Sequence, residues 1–179
     1  PLSDVTRDAI YVAVSTDTGS FQYSGTTVET YEMAADLVRH GLDVGAINAK
    51  TYDSHPYRRV ELTRRLLNTL EMAEDGRMAD WRLEYKTQEE LGLKPEDSEG
   101  LIDMIRAIEG VEIAVFFEEL KSGEIRVSMR SKNRAVDVCD VAKVFGGGGH
   151  TMAAGIRTEG TLEGVREQVL AELRKRLDA

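Results

Sequence analysis

Four consecutive glycines, Gly146 to Gly149, are followed directly by His150 and then by Thr151-Met152-Ala153-Ala154-Gly155. Glycine loses more conformational entropy on folding than any other residue, so such a run is costly in a globular segment. Its backbone amides, however, can approach a ligand closely, and successive N–H groups form a concavity that binds anions. The run therefore predicts a phosphate cradle formed by Gly147-Gly148-Gly149, with His150 as a further donor. A flexible surface loop or a tight turn between packed elements would explain the glycines as well.

A cluster of cations, Arg130-Ser131-Lys132-Asn133-Arg134, precedes the glycine run. An arginine beside a hydroxyl can grip a phosphate bidentately, which makes Arg130 and Ser131 candidates and Lys132 a weaker one. A charged strand end is commonly just a solvated turn. Because His150 follows twenty positions after Arg130 in an otherwise acidic chain, we predict that Arg130, Ser131 and Lys132 bind the same phosphate as the glycine run.

Asp17 is the third candidate for chemistry, in the polar turn Ser15-Thr16-Asp17-Thr18-Gly19 that follows the apolar segment Ala9–Val14. A carboxylate held at the end of a buried element, between two threonine hydroxyls, suits a metal ligand. The alternative is an Asx-turn or a helix cap, which needs no metal.

The elements that must position these residues follow from the hydrophobic periodicity. The first third of the chain reads as helical, including Ala9–Val14, and an amphipathic pattern predicts a connecting helix over 57–70. Beyond it, strands are predicted at 77–85, 111–120, 125–130 and 155–158, and helices at 88–91, 101–108, 136–145 and from Thr161 onward. The glycine run is expected to be a loop. The order predicts an α/β protein with a helical domain over 1–56 and an α+β domain with a small mixed sheet over 71–179.

Composition narrows the function classes. The net charge of −9 argues against non-specific binding of duplex DNA, although a local basic pocket could hold a small anion. Hydrophobic residues make up 41% of the chain without an apolar run near 18 residues, so we expect no membrane-spanning helix. One cysteine, Cys139, cannot form an internal disulfide, which favours a cytoplasmic location.

Four ordered segments resemble the DHH phosphoesterase superfamily: Thr16-Asp17-Thr18-Gly19-Ser20-Phe21, Gly110-Val111-Glu112-Ile113-Ala114, Arg130-Ser131-Lys132 and Gly146–Gly155. The glycine block with its Ala-Ala-Gly tail is similar to the hallmark of the DHH-associated C-terminal domain. Within the superfamily, the chain most resembles the short-chain nano-RNase/pAp-phosphatase branch. The resemblance covers essentially the whole chain.

The resemblance implies a metal-dependent phosphoesterase that hydrolyses short RNA oligonucleotides, 3′-phosphoadenosine 5′-phosphate (pAp), or both. It implies that two Mn²⁺ or Mg²⁺ ions activate the attacking water, with Asp17 as one ligand. It assigns phosphate and nucleotide binding to Arg130, Ser131, Gly147 to Gly149 and His150, with Lys132 as a weaker candidate. The expected partners are short RNA or small nucleotides and no membrane, and a homodimer is left open.

The sequence departs from the superfamily in lacking its Asp/His-rich segments and its Asp-His-His signature. The histidines His40, His55 and His150 are scattered along the chain and do not replace those motifs. We therefore expect the tail of a DHH catalytic domain followed by a complete substrate-binding domain, inactive by itself. A cyclic-dinucleotide phosphodiesterase, a RecJ-like single-strand exonuclease and a non-catalytic nucleotide-binding module remain as alternatives.

Overall fold

The computed structural model describes residues 2–23 and 25–177. The chain divides into two units, residues 1–55 and residues 56–179. The first unit is helical, and the second combines helices with a mixed sheet, which is the fold class that the sequence predicts. Over the described ranges, no helix combines the length and the apolar character needed to cross a bilayer.

The described part of the first unit consists of α1 (Asp4–Asp17), α2 (Val28–Arg39) and α3 (Val44–Tyr52). Side-chain caps begin all three helices. Ser3 Oγ accepts from the Thr6 amide at 3.2 Å, Thr27 Oγ1 from the Thr30 amide at 3.4 Å, and Asp43 Oδ1 from the Ala46 amide at 2.9 Å. The core of the unit is small, and its buried residues are Tyr11, Leu37 and Leu42. The prediction of a helix over the apolar segment at residues 9–14 is confirmed by α1.

The second unit is built on one sheet. Its helices are α4 (Tyr57–Leu67), α5 (Tyr85–Leu91), α6 (Ile102–Arg106), α7 (Val138–Val144) and α8 (Leu162–Leu177). Its strands are β1 (Glu71–Ala73), β2 (Met78–Leu83), β3 (Ile113–Glu119), β4 (Ile125–Ser131), β5 (Gly148–His150) and β6 (Ala153–Thr158). The strands lie in the order β1-β2-β3-β4-β6-β5, with β2 and β3 parallel and the other neighbours antiparallel.

The two faces of this sheet are covered to different extents. One face packs on α7 and α8, with Val127 and Met129 of β4 fully buried in the main core. On the other face, α4 and α6 cover β2 and β3, and Trp81 and Phe116 are buried there. Along β4 the residues of this second face, Arg126, Ser128 and Arg130, are only half-buried, whereas those between them are buried. The alternation leaves the β4–β6–β5 part of the second face accessible.

The helix predicted as a connector over 57–70 is shorter than expected and lies within the second unit. It is α4, which ends at Leu67, and its Leu62 and Leu66 are buried in the core beneath β2 and β3. The residues that follow it lead into the hairpin of β1 and β2.

The glycine run is not the loop that the sequence predicts. Gly148 to His150 form β5, which pairs with β6 in the register Gly148↔Gly155, Gly149↔Ala154 and His150↔Ala153. The physical reason is close packing, because an ideal Cβ at Gly147 would lie 2.2 Å from the Gly155 carbonyl oxygen. At Gly149, where φ is +145°, a Cβ would lie 2.5 Å from the Ala153 carbonyl oxygen. Glycine at these two positions allows the backbone to approach β6.

Candidate functional site

Arg130 and His150, which are far apart in the sequence, share one row across the sheet. Arg130 of β4 lies opposite Ala153 of β6, and His150 of β5 lies opposite the same alanine. Directly opposed residues of antiparallel strands project from the same face, so Arg130 and His150 flank a methyl group on the accessible face. The structure thus brings together two of the residues that the sequence singled out.

Two further rows lie beside this one. The next consists of Ser128, Gly155 and Gly148, and the one after it pairs Arg126 with Arg157. Successive rows are about 6.7 Å apart, because every second residue of a strand projects from one face. We call this surface the open face; its residues are Arg126, Ser128, Arg130, Gly148, His150, Ala153, Gly155 and Arg157.

The open face has a positive charge that nearby carboxylates do not fully neutralise. Most arginines in the described residues pair with a carboxylate within 4 Å. The described arginines without such a partner are Arg59, Arg130, Arg134 and Arg157. Arg59 is satisfied by backbone carbonyls, whereas Arg130 donates only to the carbonyl of its neighbour Met129, at 3.0 Å. In a chain of net charge −9, this gathering of cations suits an anionic ligand.

Cavities adjoin the open face on two sides. One of about 470 Å³ is lined by Arg134, His150, Thr151 and Met152. The other, of about 290 Å³, lies where the segment 98–102 borders the face, and Arg126, Ser128 and Arg130 form part of its wall. Both are open clefts of a size that a small polar ligand can enter.

Asp137, which is not among the site residues predicted from the sequence, fixes the hairpin that carries His150. Its Oδ1 accepts from the amides of Cys139 and Asp140, at 2.8 and 3.2 Å, and so caps α7. Its Oδ2 accepts from Thr151 Oγ1 at 3.1 Å, and the Val138 amide donates to the Thr151 carbonyl. An aspartate immediately before the helical pattern at Val138 is an N-cap signature that could have revealed the first of these roles.

The last three glycines of the run differ in what they contribute. The Gly147 amide donates to the Ala142 carbonyl at 2.8 Å and closes the end of α7, so this N–H has a partner within the fold. Gly149 is required by its φ and by its packing on β6. At Gly148, in contrast, a Cβ would meet nothing within 4 Å, and the residue is exposed on the open face.

Ser131 and Lys132 are directed elsewhere. Ser131 follows Arg130 in β4, so its side chain projects from the opposite, covered face, where it is 2% exposed. Its Oγ donates to the Asn133 carbonyl at 2.7 Å and accepts from the Asn133 amide at 3.1 Å, which shapes the turn after β4. Lys132 Nζ donates to the Ile108 carbonyl at 3.0 Å. The structure therefore groups Arg130 with His150 and Gly148, and not with Ser131 or Lys132.

Glu112 holds the same turn from the side of β3. It accepts from Arg77 Nε and from Asn133 Nδ2, both at 2.7 Å. The hydrogen bond from Arg77, followed by that from Asn133, lowers the pKa of the Glu112 carboxyl. The turn after Arg130 is thus fixed by an ionised carboxylate, which limits the positions that the Arg130 backbone can adopt.

Comparisons with known proteins match residues 83–179 to the DHHA1 domain. This chain belongs to the DHHA1 domain family. The match includes the strands of the open face, and it confirms the resemblance to the DHH superfamily that the sequence motifs indicate.

Individual relatives extend the similarity over most of the chain. The probable bifunctional oligoribonuclease and PAP phosphatase NrnA of Streptococcus mutans is 30% identical over 176 residues, which are 98% of this chain and 55% of that protein. The bifunctional oligoribonuclease and PAP phosphatase NrnA of Thermus thermophilus is 30% identical over 169 residues, 94% of this chain and 50% of that protein. The chain therefore spans about half the length of these relatives.

A solved structure of an exopolyphosphatase-related protein from Bacteroides fragilis superimposes with a TM-score of 0.87 at 28% identity. The alignment covers 95% of this chain and 50% of that one. The DHHA1 fold and its mixed sheet are therefore shared with this relative.

Asp17, the predicted metal ligand, is the exposed last residue of α1. It lines an open cleft of about 630 Å³ together with Ala13, Val14 and Thr16. Among the described residues there is no group of three or more His, Cys, Asp or Glu side chains placed to hold a metal ion. A pair of Mn²⁺ or Mg²⁺ ions needs several such ligands, so the described residues do not by themselves fit a two-metal centre.

Proposed function

We propose that this DHHA1 protein supplies substrate binding to a phosphoesterase acting on short oligoribonucleotides and on pAp. Two relatives that match 98% and 94% of the chain are named as a probable and an assigned bifunctional oligoribonuclease and PAP phosphatase. The positively charged open face supports the same class of substrate, because short RNA and pAp are both nucleotides that carry phosphates. The buried, unpaired Cys139 supports a cytoplasmic setting for this activity.

In this proposal, Arg130 is the principal phosphate contact. Its guanidinium has no carboxylate partner in the described residues, and a planar fork of N–H donors matches two phosphate oxygens. His150, on the far side of Ala153, donates to the same phosphate or to the ribose. The backbone at Gly148 and Gly149 adds contacts that no side chain blocks, and Ser131 and Lys132 hold the turn behind Arg130.

The observation that carries the proposal is the contrast between the whole chain and the open face. An acidic chain pairs most of its described arginines with carboxylates, yet Arg130 and Arg157 have no carboxylate partner among the described residues. They lie on the open face with His150, the exposed Gly148 and the half-buried Gly155. A surface kept only for solubility would not need small residues between its cations. A flat surface among cations is what a nucleotide requires, since its sugar and base need area and its phosphates need charge.

Binding of a fluorescently labelled diribonucleotide, followed by anisotropy, tests this function. We expect Arg130→Gln to weaken the Kd about tenfold or more, because a hydrogen bond to a charged group contributes about 1.5–3 kcal/mol. Arg39→Gln is the matched control, since it removes the same charge from a largely exposed side chain of α2. An unchanged Kd in Arg130→Gln would contradict the proposal.

The affinities for different ligands distinguish the alternative functions. The same measurement with a ribopentamer, a twenty-residue oligonucleotide, pAp and a cyclic dinucleotide ranks the substrate classes. We expect the diribonucleotide and pAp to bind at least as tightly as the twenty-residue oligonucleotide, because the open face is only three rows deep. Preference for the long strand would favour a single-strand exonuclease, and preference for the cyclic dinucleotide would favour a cyclic-dinucleotide phosphodiesterase.

Asp17 is proposed as one ligand of a Mn²⁺ or Mg²⁺ ion. In a protein that supplies the remaining metal ligands, we expect His150→Ala to weaken nucleotide binding and to leave Mn²⁺ affinity unchanged, and Asp17→Asn to do the reverse. Titration with Mn²⁺, followed by calorimetry, distinguishes the two variants. Loss of metal affinity in His150→Ala would contradict this division of roles.

A further inference from the structure

Arg126 and Arg157 lie directly opposite each other on β4 and β6. Two like charges in this position are destabilising unless something compensates them. Glu118, the neighbour of Arg126 on β3, compensates one of them: Arg126 Nε donates to Glu118 Oε2 at 2.9 Å, and its Nη2 donates to Ser98 Oγ at 3.0 Å. The pair therefore keeps one positive charge that Glu118 does not cancel.

Arg157 carries that remaining charge. It is exposed, and among the residues that the structure describes no carboxylate lies within 4 Å of its guanidinium. Arg157 lies on β6 two residues after Gly155. Because every second residue of a strand projects from the same face, its side chain projects from the open face. A cation placed opposite another cation, and left without a partner, is available to an anionic ligand.

The spacing between this row and the Arg130–His150 row gives the size of that ligand. Arg126 precedes Arg130 by four residues, which is about 13 Å along a strand. Between the two rows lie Ser128, Gly155 and Gly148, which have a small side chain or none. Arginine side chains are long enough to lean inward from both rows, and the flat strip between them can accept a sugar ring.

We propose that Arg157, with Arg126 opposite it, forms a second anion-binding row, so that the open face holds the two phosphates on either side of one nucleoside. The inference rests on the proposed function and specifies its ligand as a nucleoside 3′,5′-bisphosphate or one internal nucleotide of a short RNA. A nucleoside monophosphate occupies the Arg130–His150 row alone. Arg157 is then a specificity-determining residue, since it distinguishes ligands with two phosphates from those with one.

Titration calorimetry with adenosine 3′,5′-bisphosphate and adenosine 5′-monophosphate tests the inference on the whole 179-residue chain. We expect the wild-type protein to bind the bisphosphate about tenfold more tightly than the monophosphate, as one further charged hydrogen-bonded contact allows. Arg157→Gln should bring this ratio close to one while leaving the monophosphate affinity nearly unchanged. Arg157→Lys, which keeps the charge without the fork, should give an intermediate ratio, and Arg39→Gln should give the wild-type ratio.

Thermal unfolding of the same variants separates binding from structure. Because Arg157 opposes Arg126, Arg157→Gln should leave the Tm of the free protein unchanged or raise it. A wild-type ratio in Arg157→Gln, or an equal loss of affinity for both nucleotides, would overturn the second row and leave the proposed function standing. Failure of the wild-type protein to bind either nucleotide would overturn both.

Discussion

At the β1 end of the sheet, Arg82 and Arg166 are surrounded by carboxylates, whereas in the described residues Arg130 and Arg157 of the open face have none. Arg166 donates to both carboxylate oxygens of Asp80, at 2.7 and 2.9 Å, and also contacts Glu71 and Glu163. Arg82 contacts Glu71 and Glu163 as well. The network ties β1 and β2 to α8.

The difference separates arginines that stabilise the fold from arginines that we propose bind a ligand, within one sheet. Asp80 is 1% exposed, so its charge is tolerated only because Arg166 is held against it. On the open face, Arg130 and Arg157 have no carboxylate partner among the described residues, so a phosphate can pair with them where Arg166 pairs with carboxylates. An arginine that has no carboxylate partner among the described residues therefore points to a binding site, whereas a high number of arginines does not.

Breaking the buried pair should give the largest effect. Arg166→Leu leaves the Asp80 carboxylate buried without a partner, which we expect to lower the free energy of unfolding by about 3–5 kcal/mol. Urea denaturation measures this loss. Arg174→Leu on the same helix is the control, since its pair with Glu74 is about half exposed and should contribute less than about 1 kcal/mol.

Removing both members of the pair sharpens the interpretation. Asp80→Leu combined with Arg166→Leu should recover much of the stability lost in Arg166→Leu alone, because no buried charge remains. If Arg166→Leu lowered the free energy of unfolding no more than Arg174→Leu, a stabilising role of the buried Arg166–Asp80 pair would be contradicted.

Alanine at Gly147 and at Gly148 should have opposite consequences. Gly147→Ala forces a Cβ against the Gly155 carbonyl oxygen, and we expect it to destabilise the protein by about 1–3 kcal/mol. Gly148→Ala meets no atom, so the free energy of unfolding should stay the same or rise by up to about 1 kcal/mol. Gly148→Val should weaken diribonucleotide binding without unfolding the protein, because its side chain occupies the strip. Equal destabilisation by both alanines would contradict the assignment of Gly148 to the ligand.

Acid should affect the β1 end through its carboxylates. Burial raises the pKa of Glu71, but the hydrogen bond from Arg82 and the charges of Arg166 and Arg82 outweigh it and leave the pKa below its ordinary value of 4.5. A group whose folded-state pKa is lowered stabilises the protein above the unfolded value and loses that contribution as the pH falls through the folded value. The Tm should therefore fall as the pH drops below about 4.5, where Glu71 begins to take up protons in the unfolded chain.

Glu71→Gln should reduce the slope of this acid loss, and Glu167→Gln, an exposed position on α8, should not. Differential scanning calorimetry between neutral pH and about pH 3 covers the window in which a lowered carboxyl titrates. A Tm independent of pH across that window would show that these ion pairs contribute nothing.

The sequence predicted the elements of this fold better than their pairing. Alternation at Val111, Ile113, Val115 and Phe117 predicted β3, and the motifs at Arg130 and His150 identified both ends of one row. The same motifs could not show that Ser131 projects from the opposite face, because that follows from the register of β4 with β3 and β6.

Two features of the site depend on contacts between distant residues and were missed. Glycine has low strand propensity, so a strand at Gly148–His150 is visible only once β6 is placed beside it. Arg157 has no neighbouring motif, and only its pairing with Arg126 reveals its place on the open face. Local sequence patterns carry no information about such cross-strand neighbours.

We expect a ligand to bind at the open face and not at the end of the sheet where Glu71, Asp80 and Arg166 lie. A two-dimensional ¹⁵N–¹H NMR titration of the labelled chain with a diribonucleotide tests it directly, because every backbone amide reports its own surroundings. We predict the largest shift changes at the amides of Arg130, Gly148, Gly155 and Arg157, with those of Glu71 and Arg166 unmoved. Changes centred on Glu71, Asp80 and Arg166, with no change at the amides of the open face, would contradict binding at the open face.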